Sequence, residues 1–348
     1  MTPPCAAPLL IIYTGGTLGM IDTDQGLAPG PDVEARVRRA LDSLPPARRA
    51  VLPDFLWQEL GTPIDSSSAR PNDWAALASK IADCHRDVAG IVVLHGTDTL
   101  AWTASSLAYQ LQGIDRPVVI TGAMLPLEAD GSDALHNIET ALGFAAMPRL
   151  QEVALCFDGV LLRGCRARKW HTQDRHAFAS PNRGRLGERR GDDWTLIESR
   201  GLEATQRGAP RFELLDYESL EGAVVRLPLW PGIDAWQVAA WLDDDRVQGA
   251  LLEVWGGGNV PDDLAIGQVL AEATGRGKLI AAISQCPYGT VDIGHYAAGR
   301  LLAEAGVMSG DDMTAEAVYT KLVHLLAQPI SDDQRRHRFM TPLVGERG

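Results

Sequence analysis

The stretch "IIYTGGTLGM", residues 11–20, breaks an apolar run on Thr14-Gly15-Gly16-Thr17. The run starts at Leu9, is rich in β-branched residues and reads as a buried strand, and a Gly pair straight after it reads as a sharp turn. Two threonines flanking two glycines at the end of a first strand have two readings. They are caps of whatever element follows, or one of them is a nucleophile held on a strained turn.

Similar runs recur downstream: "GIVVLH" at 90–95, "PVVITG" at 117–122 and "EVALCF" at 152–157. Helical patterns lie between them. In 99–111, Leu100, Ala104, Leu107, Ala108 and Leu111 share one face; in 72–85, Trp74, Leu77, Ala78, Ile81 and Cys84 do, with Pro71 near the first turn. Alternation of this kind predicts a parallel sheet covered by helices on both faces. From Gly187 to Glu221 the pattern dissolves into charge and glycine. It then resumes with "GAVVRLPLW", "GALLEVWG" and "KLIAAISQC" as strands and 261–275, 296–306 and 314–328 as helices. The expected architecture is therefore two doubly wound α/β domains, each with a mostly parallel sheet. A larger N-terminal domain spans 1–187, a linker with at most an exposed strand or two spans 188–221, and a smaller C-terminal domain spans 222–348.

The 348 residues suffice for two cores at roughly 100–200 residues per domain. A net charge of −13 argues against a nucleic-acid or anionic-membrane partner, since both require a basic face. No Lys or Arg precedes Arg36 and no run approaches about 18 apolar residues, so a cytoplasmic protein is expected. Five scattered cysteines (Cys5, Cys84, Cys156, Cys165, Cys286) read as reduced thiols, and no metal or other cofactor is expected.

Ligands of doubly wound sheets sit beyond the carboxyl ends of the strands. Thr17 follows one such end. "HGTDT", 95–99, follows another and precedes a helix, which puts Thr97 and Asp98 at a strand's end and a helix's start at once. Taken alone, Asp98 reads first as an N-cap. Rival sites fare poorly: Gly15, Gly16 and Gly19 lack dinucleotide-loop spacing, and neither a phosphate loop nor a G-x-S-x-G elbow occurs. His171 and His176 lack helical ligand spacing and read as solvated polar residues.

"TGGTLGM", "HGTDTLAWTASSLAYQL", "TGAMLPL", "KWHTQDRHAFASPN", "GGGNVP" and "GVMSGDDMTAEAVYTKL" occur in the order seen in bacterial L-asparaginases. The chain resembles most the cytoplasmic, type I branch of that family, over both domains. The resemblance implies hydrolysis of L-asparagine to L-aspartate and ammonia through a threonine nucleophile and a β-aspartyl-enzyme intermediate. It implies Thr17 as the nucleophile and Thr97, Asp98 and Lys169 as a second catalytic group, the lysine being placed by Phe178 nine residues on. Ser66 and Ser67 match positions that bind the substrate's α-carboxylate, while the Asp-Met pair usual after them is replaced by Ser68-Ala69. Asp98 and Thr97 also contact substrate, and Asn259 matches an asparagine that reaches the site from a neighbouring subunit of a homotetramer, a dimer of dimers. A threonine hydroxyl needs a base to take its proton, and lysine serves only where its surroundings lower its pKa, a direction Asp98 opposes.

Two departures stand out. The loop tyrosine of most family members is replaced by Leu27, and no tyrosine occurs between Tyr13 and Tyr109. An allosteric asparagine site of some type I enzymes uses an arginine and a cysteine; Cys286 is present, but Glu253 stands at the arginine position and would repel a carboxylate. Two other readings follow from these features and from the shared fold: a catalytically weakened amino-acid-binding protein, and the amidase subunit of a tRNA-dependent amidotransferase.

Overall fold

Strand β1, Leu9–Tyr13, is buried along its whole length, and its register shows why its end matters. In this computed structural model, which describes residues 7–61, 63–293 and 297–348, the chain divides into two units, Met1–Leu214 and Leu215–Gly348. Cys5 and Tyr296, assigned above to a thiol and a helix start, lie outside the described residues.

The first unit is built on an eight-stranded sheet. Its parallel part comprises β1, β4 (Phe55–Glu59), β5 (Ile91–Leu94), β6 (Val118–Thr121) and β7 (Val153–Phe157). A small antiparallel hairpin, β2 (Met20–Thr23) with β3 (Gly26–Pro29), leaves the end of β1. Beyond β7 the sheet turns antiparallel through β8 (Val160–Arg163), β11 (Gly187–Arg190) and β12 (Asp193–Leu196). A two-stranded ribbon, β9 (Arg168–Lys169) with β10 (Phe178–Ala179), stands outside it. Residues 187–196, at the start of the stretch read as a linker with at most a strand or two, thus supply the last two strands of this sheet.

The strand order is β12-β11-β8-β7-β6-β5-β1-β4. The chain leaves β1 for β4 on one side and returns as β5 on the other, so the sheet's switch point lies between the ends of β1 and β5. This is where a doubly wound sheet opens a crevice. Helices α1 (Val33–Asp42) and α5 (Ala134–Ala145) cover one face, where Leu9, Ile11 and Tyr13 join Val37, Leu41, Ile138 and Leu142 in one apolar core. Helix α2 (Pro46–Val51) precedes β4; α3 (Pro71–Cys84) packs beside α4 (Leu100–Gln110). Burial on both faces accounts for the unbroken apolar runs of the parallel strands.

The second unit has a four-stranded sheet, parallel throughout, in the order β13 (Val224–Pro228), β14 (Gly249–Val254), β15 (Leu279–Ser284) and β16 (Met308–Ser309). Helices α6 (Ala235–Leu242), α7 (Leu264–Gly275) and α8 (Ala297–Glu304) follow its strands in turn. Helices α9 (Ala315–Leu326) and α10 (Asp332–Met340) complete the unit, whose main core joins Val238, Leu242, Leu252, Ile266 and Ile280. Among the described residues no helix is long and apolar enough to cross a membrane.

Candidate active site

The turn after β1 depends on its two glycines. Gly15 and Gly16 have φ of 122° and 93°, a region closed to most side chains. Space closes it as well: a Cβ on Gly15 would stand 2.4 Å from the Ile64 carbonyl oxygen, and one on Gly16 would stand 2.5 Å from the Cα and N of Gly96. The backbones of the two threonine turns therefore meet along a seam, and Thr17 and Thr97 are the next residues on either side of it. Thr14 is a strut instead, donating from Oγ1 to the Leu94 carbonyl at 3.1 Å. Thr17 opens a short 3-10 turn, Thr17–Gly19. It is half-buried, and among the described residues its hydroxyl meets no hydrogen-bond partner.

Ser66 closes the seam from a third side. It lies in the 3-10 turn Ser66–Ser68 and is buried, its Oγ 2.4 Å from where a Cβ on Gly96 would sit. Its carbonyl accepts a hydrogen bond from Thr99 Oγ1 at 2.8 Å. Ser67 is exposed, and its N–H is capped by Asp65 at 3.0 Å.

Lys169 arrives on the β9–β10 ribbon, directly across from Phe178, whose ring packs on Phe157 at 4.9 Å. Its Nζ donates to Thr97 Oγ1 at 2.9 Å and to Asp98 Oδ1 at 2.8 Å. The structure thus joins Thr97, Asp98 and Lys169 by hydrogen bonds. Thr97 is buried, whereas Asp98 keeps 61% of its side chain exposed, which leaves a carboxylate edge for a cationic group. Asp98 is not the N-cap of α4; Thr99 holds that position.

The HGTDT turn is fixed from beneath by His95. Burial lowers the pKa of its ring, which stays neutral; Nδ1 then donates to the Gly96 carbonyl at 2.7 Å and Nε2 accepts from Thr103 Oγ1 at 3.1 Å. The turn after β6 is fixed by the buried Asp133, which accepts the N–H groups of Met124 and Leu125 at 3.0 and 3.1 Å. Asn137 donates to Asp133 at 3.0 Å and accepts the Asp158 N–H at 2.9 Å. Neither carboxylate nor amide stood out in the sequence, because both act through backbone groups that only the folded turns bring to them.

The remaining candidates are Asn259, Leu27, Glu253 and Cys286. Asn259, in the second unit, occupies the turn leaving β14, is exposed, and exchanges backbone hydrogen bonds with Trp255 at 3.0 and 2.8 Å. Leu27 sits on β3 opposite Asp22 and is 51% exposed. Glu253 is buried at the end of β14 and ion-paired with Arg226 of β13, so the charge expected to repel an anion is already answered. Cys286 is exposed beyond β15.

Comparison with known proteins agrees along the chain. Residues 8–200 match the family description "Asparaginase, N-terminal" and residues 223–339 match "Glutaminase/Asparaginase C-terminal domain". The chain is 37% identical over 338 residues to L-asparaginase 1 of Escherichia coli (strain K12), covering 97% of each. Its fold is similar to the crystal structure of L-asparaginase I from Vibrio cholerae, with TM-score 0.86, 32% identity and 99% of each chain covered. The thermostable L-asparaginase from Thermococcus kodakarensis superposes with TM-score 0.84 at 29% identity, covering 98% of this chain and 99% of that one.

Proposed function

The chain belongs to the asparaginase family, and on that premise we propose how its two threonine turns act. The protein is an L-asparaginase, an amidohydrolase that takes L-asparagine to L-aspartate and ammonia. Thr17 Oγ1 attacks the side-chain carboxamide carbon, and the C–N bond breaks as the nitrogen gains a proton and leaves as ammonia. This leaves a β-aspartyl ester on Thr17, which water hydrolyses to free the carboxylate and restore the hydroxyl. Thr97, Asp98 and Lys169 move the proton that the hydroxyl loses. Backbone N–H groups at the two turns stabilise the oxyanion, a contribution of about 3–4 kcal/mol per donor.

Asp98 takes the substrate's α-ammonium group on its exposed edge, with Thr97 beside it, and Ser66 and Ser67 take the α-carboxylate. Asn259 completes the site from a neighbouring subunit of a homotetramer working in the cytoplasm. The observation that carries this reading is the Gly16–Gly96 seam. It supports the reading because no side chain separates the two turns, so a small amide can meet Thr17 and the Lys169–Thr97 pair together.

The experiment is ammonia release from L-asparagine by the wild type and by Thr17→Ala. Thr17→Ala should lose turnover with its fold intact; activity within about tenfold of wild type would remove Thr17 as nucleophile. A wild type that binds asparagine and releases no ammonia would favour the weakened binding protein, a reading motivated by Leu27 and Ser68-Ala69. Light scattering tests the assembly: an active monomer would remove Asn259 from the site.

A further inference from the structure

The carbonyls of Leu18 and Gly19, which follow Thr17 in its turn, and that of Met20, which opens β2, are all held, and one side chain holds two of these three. The Leu18 carbonyl accepts the Leu127 N–H at 3.1 Å, and the Gly19 carbonyl accepts the Gly30 N–H at 3.0 Å. Arg36, from the second turn of α1, adds Nη1 to the Gly19 carbonyl at 2.8 Å and Nη2 to the Met20 carbonyl at 3.1 Å. The other edge of the same guanidinium grips Glu128, Nε to Oε1 at 2.7 Å and Nη2 to Oε2 at 2.5 Å. The Arg36 side chain is 10% exposed, while Glu128 is 54% exposed on the turn after β6.

Two further contacts leave this cluster no slack. A Cβ on Gly30 would stand 2.5 Å from Arg36 Nη1, so the foot of the β2–β3 hairpin lies flat on the guanidinium. The Tyr13 hydroxyl lies 2.0 Å from where a Cβ on Gly19 would sit, so the phenol floors the turn; burial raises its pKa and keeps it neutral. A planar fork with donors on two edges can join two carbonyls to a carboxylate, which a single ammonium cannot do.

We propose that Arg36 is a positioning residue for the nucleophile: it locks the turn carrying Thr17 and the foot of the β2–β3 hairpin to Glu128 as one rigid piece. The inference rests on Thr17 as the nucleophile. Arg36 touches no reacting atom and acts through the carbonyls of Gly19 and Met20. Its loss lets the turn rotate about its glycines and misaligns Thr17 against the seam. Substrate contacts at Ser66, Ser67 and Asp98 lie on other turns and stay in place.

The test uses Arg36→Met, Arg36→Lys and Glu128→Gln in the full chain. Steady-state kinetics on L-asparagine is read beside amide hydrogen exchange of residues 18–30. Both Arg36 variants should lower kcat by about tenfold or more while KM stays within about threefold. Exchange across 18–30 should quicken in both, with α5 unchanged. Glu128→Gln should show the same pattern with a smaller loss. A kcat for Arg36→Lys within about twofold of wild type would overturn the proposal, since charge alone would then suffice. Exchange that is unchanged, or raised through the whole first unit, would overturn it too. Should the Arg36 variants fail to fold, Glu128→Gln decides, because it keeps the side chain's size at a position that is 54% exposed. A wild type releasing no ammonia would defeat the proposed activity, whereas unchanged exchange at 18–30 would defeat the latch.

Discussion

Among the described residues each unit has a lysine paired with a carboxylate, and the two pairs differ in how much water reaches them. Lys169 is 22% exposed and Asp98 is 61% exposed; among the described residues two of the three N–H groups of Lys169 are taken, by Thr97 and Asp98. Lys321 and Glu346 are fully enclosed. Lys321 donates to the carbonyls of Phe339 and Thr341, both at 2.8 Å, and to Glu346. Glu346 also accepts the N–H groups of Leu343 at 3.0 Å and Val344 at 2.8 Å. Burial pushes the Glu346 carboxyl up, but the charge and hydrogen bond of Lys321 outweigh it and hold it below the usual range. A pair whose donors and acceptors are all spent inside the fold is a staple. A pair with an open edge can meet a substrate.

The largest expected effect follows from the open pair. Lys169→Met should lower kcat by about 10²–10⁴-fold, the range of a lost proton-transfer group. Unfolding stability in denaturant should move by less than about 1 kcal/mol, because the pair is partly solvated. Thr97→Val should act alike, and the double variant should lose little more than either single one. A double variant showing the product of the two losses would break the idea of a shared group.

The closed pair should respond the other way round. Lys321→Met strands a buried carboxylate and should cost about 3–5 kcal/mol in denaturant unfolding. The kcat and KM of the protein that remains folded should stay unchanged. The pH dependence should reverse as well. In the wild type the folded carboxyl is depressed, so its contribution is present above the unfolded value of about 4.3 and is lost as pH falls through the folded one. In Lys321→Met burial, the largest influence, is opposed only by the Leu343 and Val344 N–H groups, so the folded carboxyl rises and stability is lost as pH climbs. A variant with wild-type stability at neutral pH would show that the pair is not a staple.

Leu27→Tyr gives the smallest effect and sharpens the open side. A phenol reaching Thr17 from the hairpin would add one hydrogen bond to a reacting group, worth about tenfold or somewhat more in kcat. The substitution should raise kcat more than it lowers KM. A wild type that is already fast and is slowed by the tyrosine would show instead that Leu27 closes over the site as an apolar lid.

The open pair's surroundings are legible in the sequence where local rules decide, whereas the closed pair is not. The end of β1, the end of β5 and the face of α4 are each visible in about a dozen residues, because buried parallel strands are apolar on both faces. The strands β11 and β12 were hidden in charge. Arg189 looks like a surface residue, yet it is buried against Glu139 at 2.8 Å and stacks at 4.5 Å on Trp194. An ion pair and a cation–π contact hide what hydropathy counts as polar. Strand β4, at the opposite edge of the sheet, carries Gln58 and Glu59 on a half-exposed run and gave little periodic signal.

The sequence by itself determined the two glycine–threonine turns, the parallel sheets and, through its motifs, the group Thr97–Asp98–Lys169. The turns and sheets follow from the Gly pair after β1 and from periodicities repeated over a few residues, and the group follows from the family resemblance. Only the tertiary structure decided that Gly16 and Gly96 touch, that His95 is a neutral strut, and that Lys321 is a staple where Lys169 is not. It alone joined Arg36 to Glu128, 92 residues away. The physical reason is that a side chain's role depends on which carbonyls and carboxylates reach it and how much water remains. Both are set by packing between segments distant in the chain.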